Sequence, residues 1–355
     1  MKLIHTSDIH LASALTARLP SSKVRGRKKE LMSNLLRLTD EAHRIGACGI
    51  IIAGDLFDSE RITKKELDSV LSVIEGARDI DFFYLPGNHE RGALSENAIT
   101  LPNLHIFDKE WTYFKHGGVT FVGRSETAAG MFSELSLDKL GKNIAVLHGE
   151  VRDKSAEGGV IGLAEAIGRG LDYVALGHYH TYSQYKLDER TVAAYSGAPE
   201  GRGFDELGDM GYLLIDTASE PIAPKFIPFA KRKLISIDTD ISGALRTHDV
   251  EARISDTVRG IGSENLIRIN LTGSRELELR CDKDYLTEKF ASEFYYFEIK
   301  DKSKLLTRAE DYRYDKSLRG EFIRLCLSDE TLSDEEREKI IHCGLSALSG
   351  EAFDE

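Results

Sequence analysis

At 355 residues the chain has room for two domains, or for one large domain with an appendage. Its 41% hydrophobic and 30% charged residues are those of an ordinary globular protein, and a net charge of −12 argues against coating nucleic acid through an overall positive field. No apolar run approaches the roughly 20 residues of a membrane span. The N-terminus offers one lysine and then a strand rather than a signal peptide, and four scattered cysteines fit a reducing cytoplasm.

The first predicted strand, Leu3-Ile4-His5-Thr6, ends in Ser7-Asp8-Ile9-His10. Alternate residues of a strand share a face, which would point Asp8 and His10 the same way. A basic segment follows, with Arg18, Lys23, Arg25, Arg27, Lys28 and Lys29. It reads either as a solvated loop and helix start or as a contact to a phosphate backbone, with Arg25, Arg27 and Lys28 as the substrate-binding candidates. Leu31, Leu35, Leu38, Ala42 and Ile45 then recur as one apolar helical stripe. The run Ile50-Ile51-Ile52-Ala53 reads as a buried strand, and Gly54 turns the backbone so that Asp55 projects from the sheet rim. A second helix, with Leu67, Val70, Leu71 and Ile74, leads to Phe82-Phe83-Tyr84-Leu85 and the tip Pro86-Gly87-Asn88-His89-Glu90. This β-α-β-α-β order predicts a sheet with helices over its faces.

Further along, Trp111–Phe114 and Val119–Val122 suggest a hairpin. Ile144–Leu147 ends in His148-Gly149, and Tyr173–Leu176 ends in Gly177-His178-Tyr179-His180. Two more strands, Val192–Tyr195 and Tyr212–Ile215, flank the glycine-rich loop Ser196–Gly203. Pro221, Pro224 and Pro228 mark a domain boundary. The expected division is 1–231 for the main domain, 232–302 for a small α+β domain with three strand-like runs, and 303–355 for a helical tail. On that tail Leu318, Phe322 and Leu325 share a face, and Ser333 with Glu336 forms a capping box.

The strand tips collect Asp8, His10, Asp55, Asn88, His89, His148, His178 and His180. These are oxygen and imidazole donors with no thiolate, a set suited to Mn²⁺, Fe²⁺ or Zn²⁺ rather than to a structural zinc site. There are more donors than one ion uses, so two divalent ions sharing Asp55 is the economical arrangement. Such a pair supplies a nucleophile near neutral pH and neutralises charge during in-line displacement at phosphorus. His89, next to Asn88, would protonate the leaving oxygen. The remaining histidines, His5, His43, His105, His116, His248 and His342, read as structural.

Asp8-Ile9-His10, Gly54-Asp55-Leu56-Phe57-Asp58, Gly87-Asn88-His89-Glu90, His148 and Gly177-His178-Tyr179-His180 together resemble the signature blocks of calcineurin-like metallophosphoesterases. The flanks His5–Leu11 and Tyr195–Glu200 are similar to the DNA-repair exonuclease branch, the SbcD type. The resemblance implies a four-layer α/β/β/α sandwich with a small α+β capping domain, a helical C-terminal tail and two Mn²⁺ ions. It implies one ion at Asp8, His10, Asp55 and His180, the other at Asp55, Asn88, His148 and His178, and His89 acting on the leaving group. Asp58 stands where some archaeal relatives have a second catalytic histidine, so a catalytic role is implied there too. Glu90 replaces the usual Asp. The implied activity is a DNA nuclease, exonucleolytic or cutting single strands internally, with an SMC-like, Rad-type ATPase partner docking on the tail; a homodimer is left open. The competing readings are a phosphodiesterase or phosphomonoesterase on a small molecule, and a scaffold subunit without catalysis.

Overall fold

Each strand expected from an apolar run is present in the computed structural model, which describes the chain except residues 14, 16, 18, 59–61, 88–93, 95–100, 154–158, 277–278, 280, 307–311, 313 and 350–355. The chain divides into two compact units, Met1–Ile235 and Ser236–Glu355. The first runs β1 (Lys2–Thr6), α1 (Ser21–Met32), α2 (Asn34–Ile45), β2 (Gly49–Ala53), α3 (Lys64–Gly76), β3 (Asp81–Leu85), β4 (Leu104–Ile106), β5 (Thr112–His116), β6 (Val119–Gly123) and β7 (Lys142–His148). It continues with β8 (Glu150–Arg152), β9 (Val160–Gly162), β10 (Tyr173–Gly177), β11 (Ser183–Lys186), β12 (Val192–Tyr195), β13 (Gly211–Asp216) and β14 (Lys225–Pro228).

Two six-stranded sheets form this unit, ordered β14-β13-β1-β2-β3-β4 and β11-β12-β10-β7-β6-β5. β1, β2, β3 and β4 run parallel, as do β6, β7, β10 and β12. All five residues of β2 are buried, because both faces of this central strand are covered. Ile50 and Ile52 pack with Leu35, Leu38 and Ala42 of α2 and Val70 and Ile74 of α3. Ile51 and Ala53, on the opposite face, pack with Phe121, Ile144, Val146 and Ala175 of the second sheet. The far side of that second sheet buries Ala145, Leu147, Val174 and Leu176 under Met131, Phe132, Leu163 and Ala166. Those covering residues lie on two short 3₁₀ turns rather than on long helices, so the fourth layer is thin.

Three details depart from the sequence reading. The stripe from Leu31 to Ile45 is broken at Ser33 into α1 and α2. The Ser33 hydroxyl donates back to Glu30 O at 2.7 Å, a local bond that competes with helix continuation. The strands flanking the glycine-rich loop belong to different sheets, β12 beside β10 and β13 beside β1, so the loop crosses between layers. β4, β8, β9, β11 and β14 lie outside the sequence reading: they are short, and β11, Ser183-Gln184-Tyr185-Lys186, is a polar edge strand with no apolar run to announce it.

The second unit carries a three-stranded sheet, β15 (Leu234–Asp240), β16 (Leu266–Thr272) and β18 (Tyr296–Asp301), with α4 (Thr247–Val258) and α5 (Lys283–Ala291). A short pair, β17 (Ser274–Arg275) with β19 (Lys304–Leu305), extends it. α6 (Leu318–Ser328) and α7 (Asp334–Ser349) follow, packed through Ile323, Cys326, Ile341 and Leu345. The Ser333–Glu336 capping box is present, with reciprocal backbone bonds of 3.0 and 3.3 Å.

Candidate metal centre

Parallel strands deliver their C-terminal ends to one place, which is where open α/β sheets build their sites. Asp8 and His10 follow β1, Asp55 follows β2, His148 closes β7, and His178 and His180 follow β10. Backbone bonds lock these tips together. Asp8 N donates to Gly54 O at 3.0 Å and His10 N to Asp55 O at 3.0 Å. Between sheets, His178 N donates to Asp8 Oδ2 at 3.0 Å, and His148 Nδ1 lies 2.9 Å from Ala53 O.

Glycine makes this approach feasible. A β-carbon on Gly54 would overlap the His148 ring, one on Gly87 would overlap Asp55, and one on Gly177 would overlap Ala53 O. The tips are also strained. Asp8, His10, Asp55 and His178 have φ of 51°, 47°, 52° and 116°, with Ala12 the other non-glycine at positive φ among the described residues. Such conformations cost about 1–3 kcal/mol each and persist where the surroundings over-determine them, typically at functional sites.

Two groups of side chains result: Asp8, His10 and His180, and Asp8, Asp55 and His148, each with one donor atom per residue within 4.8 Å of the others. Asp55 Oδ2 lies 3.8 Å from His10 Nε2 and 3.4 Å from His148 Nε2, so it stands between imidazoles of both groups. Asp8 Oδ1 is 3.6 Å from His180 Nε2 and 4.0 Å from His10 Nε2. It is buried yet takes no hydrogen bond among the described residues. The Nε2 atoms of His10 and His180 face each other at 3.2 Å. Buried carboxylates with ring nitrogens aimed at a common point fit divalent cations, since a positive ion removes the cost of burying the oxygens.

The local field has the same sign. Burial pushes the His148 imidazole down, but the Asp55 and Asp8 carboxylates outweigh it and hold its pKa up at about 9. His180 is likewise raised, burial being outweighed by Glu206 and Asp8. His178, at the rim with its ring 5.4 Å from that of His148, is lowered by partial desolvation and by its neighbouring histidine.

Five of the expected ligands, Asp8, His10, Asp55, His148 and His180, therefore converge, with His178 at the edge beside His148. Asn88 and His89 lie outside the described residues. Asp58 sits behind the cluster rather than in it: its Oδ1 is 3.1 Å from His10 Nδ1 and accepts from Arg202 Nη1 at 2.9 Å. Glu206 was missed. Buried, it lies 2.7 Å from His180 Nδ1 and binds Arg202. Its only sequence signal is an acidic residue soon after the glycine-rich loop.

The basic segment needs a correction. Arg25 and Lys28 are exposed on α1, but Arg27 is 1% exposed. Its guanidinium bonds Glu200 Oε1 at 2.8 Å, Gly201 O at 2.7 Å and Glu30 at 3.1 Å, so it is turned inward and is not available to a phosphate backbone.

Carboxylate and imidazole tips between two facing sheets define a dinuclear metal hydrolase. The chain belongs to the calcineurin-like phosphoesterase family, whose profile matches residues 1–189; this fold uses two divalent metals. It is 26% identical over 312 residues to the metallophosphoesterase YhaO of Bacillus subtilis (strain 168), spanning 81% of this chain and 76% of that protein. It is 23% identical over 349 residues to the DNA double-strand break repair protein Mre11 of Methanosarcina acetivorans, spanning 93% of this chain but 53% of that one. The chain thus spans about half the length of the archaeal relative. A dimetal phosphatase from Danio rerio, 11% identical, superposes with a TM-score of 0.38 over 60% of this chain and 91% of its own.

Proposed function

We propose that this chain is a Mn²⁺-dependent DNA nuclease of the DNA-repair exonuclease branch, working in the cytoplasm with an SMC-like ATPase. The observation that carries the reading is the convergence of Asp8, His10, Asp55, His148 and His180 at the joined mouth of the two sheets. Asp8, His10, Asp55 and His180 would hold one ion, and Asp55, Asn88, His148 and His178 the other. When bound, such a pair activates water and neutralises charge on a phosphodiester. The chain's own part is to pre-set that geometry and, through His89, to give a proton to the leaving oxygen. The likeness to the archaeal DNA double-strand break repair protein supports DNA as substrate. Four free cysteines suit a reducing compartment, and no helix among the described residues is long and apolar enough to cross a membrane. Residues 232–302 would act as a DNA-facing cap, and the helical tail 303–355, where α6 exposes Leu318 and Leu325, would receive the ATPase.

The test is a substrate panel with Mn²⁺: labelled duplex DNA, single-stranded DNA and an aryl phosphodiester. Metal-dependent cleavage of DNA is expected, with His89→Ala abolishing it while retaining ion binding. Rapid turnover of the aryl ester with every DNA form left intact would transfer the assignment to a small-molecule phosphodiesterase.

A further inference from the structure

The two groups of candidate ligands are backed by different chemistry. His148 is held through Nδ1 by a neutral backbone oxygen, Ala53 O, at 2.9 Å. The imidazoles of His10 and His180 each face a carboxylate: Glu206 Oε1 is hydrogen-bonded to His180 Nδ1 at 2.7 Å, and Asp58 Oδ1 stands 3.1 Å from His10 Nδ1 as an ion-pair neighbour outside hydrogen-bond geometry. One guanidinium joins the two carboxylates. Arg202 Nη1 donates to Asp58 at 2.9 Å, while its Nη2 and Nε donate to Glu206 Oε1 at 2.8 and 3.0 Å. The other Glu206 oxygen accepts the backbone N–H of Arg202 at 2.6 Å, and Glu206 is 6% exposed.

We infer that Arg202, Glu206 and Asp58 form one positioning unit for the ion held by Asp8, His10 and His180, setting its affinity apart from that of the ion at Asp55 and His148. The inference rests on the two-ion reading above. At His180 a carboxylate that accepts Nδ1–H fixes the ring tautomer, leaves the Nε2 lone pair toward the ion and raises the basicity of the ring, while at His10 Asp58 contributes its charge at 3.1 Å. A backbone carbonyl orients the ring in the same way but brings no full charge. Two carboxylates against one guanidinium leave net negative charge behind His10 and His180, weakly screened at buried Glu206 and more strongly at Asp58, whose side chain is 31% exposed. The arginine fork keeps both carboxylates aimed, and it couples them, so a change at Glu206 is also felt at Asp58.

The test is calorimetric titration of the metal-free protein with MnCl₂, comparing wild type, Glu206→Gln, Asp58→Asn and the double variant. Wild type is expected to show two binding events. Each single variant should weaken the same event by about 10–100-fold and leave the other in place. The double variant should add less than the product of the singles, because the residues act together. A second readout is the imidazole ¹⁵N spectrum of His180 in the metal-free protein, which should report loss of the Nδ1–H tautomer in Glu206→Gln. Equal weakening of both events, or no change in either, overturns the inference while leaving the two-ion reading intact. Absence of any Mn²⁺ binding in wild type overturns both.

Discussion

Gly54 and the imidazole of His148 approach so closely that no side chain fits between them. A β-carbon on Gly54 would overlap the ring, and Gly54 also holds a φ of +90°. Gly54→Ala should therefore lose at least the 1–3 kcal/mol of a strained left-handed residue, about that much again if His148 is displaced. Thermal unfolding together with Mn²⁺ titration checks this. A variant of wild-type stability that still binds Mn²⁺ would show that the close approach is not needed.

The buried carboxylates should make the metal-free protein sensitive to added cation. Mn²⁺ is expected to raise the melting temperature in a concentration-dependent way, worth about 2.7 kcal/mol at a hundredfold excess over Kd, and a chelator should reverse it. In Asp8→Asn, which removes a residue common to both ligand groups, the shift should largely vanish. Equal shifts in the two proteins would count against the cluster as the ion's site.

Glu30 offers a pH signature remote from the centre. Burial pushes its carboxyl up, but hydrogen bonds from Arg232, Lys231 and Arg27 outweigh it and hold the pKa at about 2. The folded value lies below the unfolded one, so this stabilisation is complete above about pH 4.5 and fades as pH falls toward 2. Glu30→Gln should cost about 2 kcal/mol at neutral pH. The difference from wild type should shrink across that acid window, as read by denaturant melts at several pH values. A difference that stays constant from pH 7 to 3 would contradict it.

On α1 neighbouring basic residues should behave in opposite ways. Arg27→Ala removes a buried partner of Glu200 and is expected to cost about 3 kcal/mol or more, measured by urea unfolding. Arg25→Ala and Lys28→Ala, both at exposed positions, should leave stability within about 0.5 kcal/mol. If they touch DNA, each should lower the salt dependence of binding by about one ion. An Arg27 variant that is fully stable but weak on DNA would reverse the assignment.

Much of this was legible because the signals are local. Ile50–Ala53 reads as a central strand since burial on both faces demands a continuous apolar run, and Gly54 announces the turn that exposes Asp55. Helix α3 is announced by its apolar stripe, and the structure adds a Thr63–Glu66 capping box at its start. What stayed hidden depends on contacts between distant positions. Arg202 meets Asp58 across 144 residues, and Arg27 on α1 meets Glu200 in the distant glycine-rich loop. Nothing in a basic run tells which arginine turns inward, because burial is decided by the acid that tertiary structure brings to it. Glu206 resembles any loop acid until the fold sets it against His180.

The bonds from His178 N to Asp8 Oδ2 and from His148 Nδ1 to Ala53 O cross from one sheet to the other at the open end of the sandwich. The residues proposed for chemistry thus also serve as a clasp on the seam. Removing the Asp8 carboxylate would release one of these ties while the apolar core between the sheets stays in place, so inactivity in such a variant reports a lost fastening as well as a lost ligand.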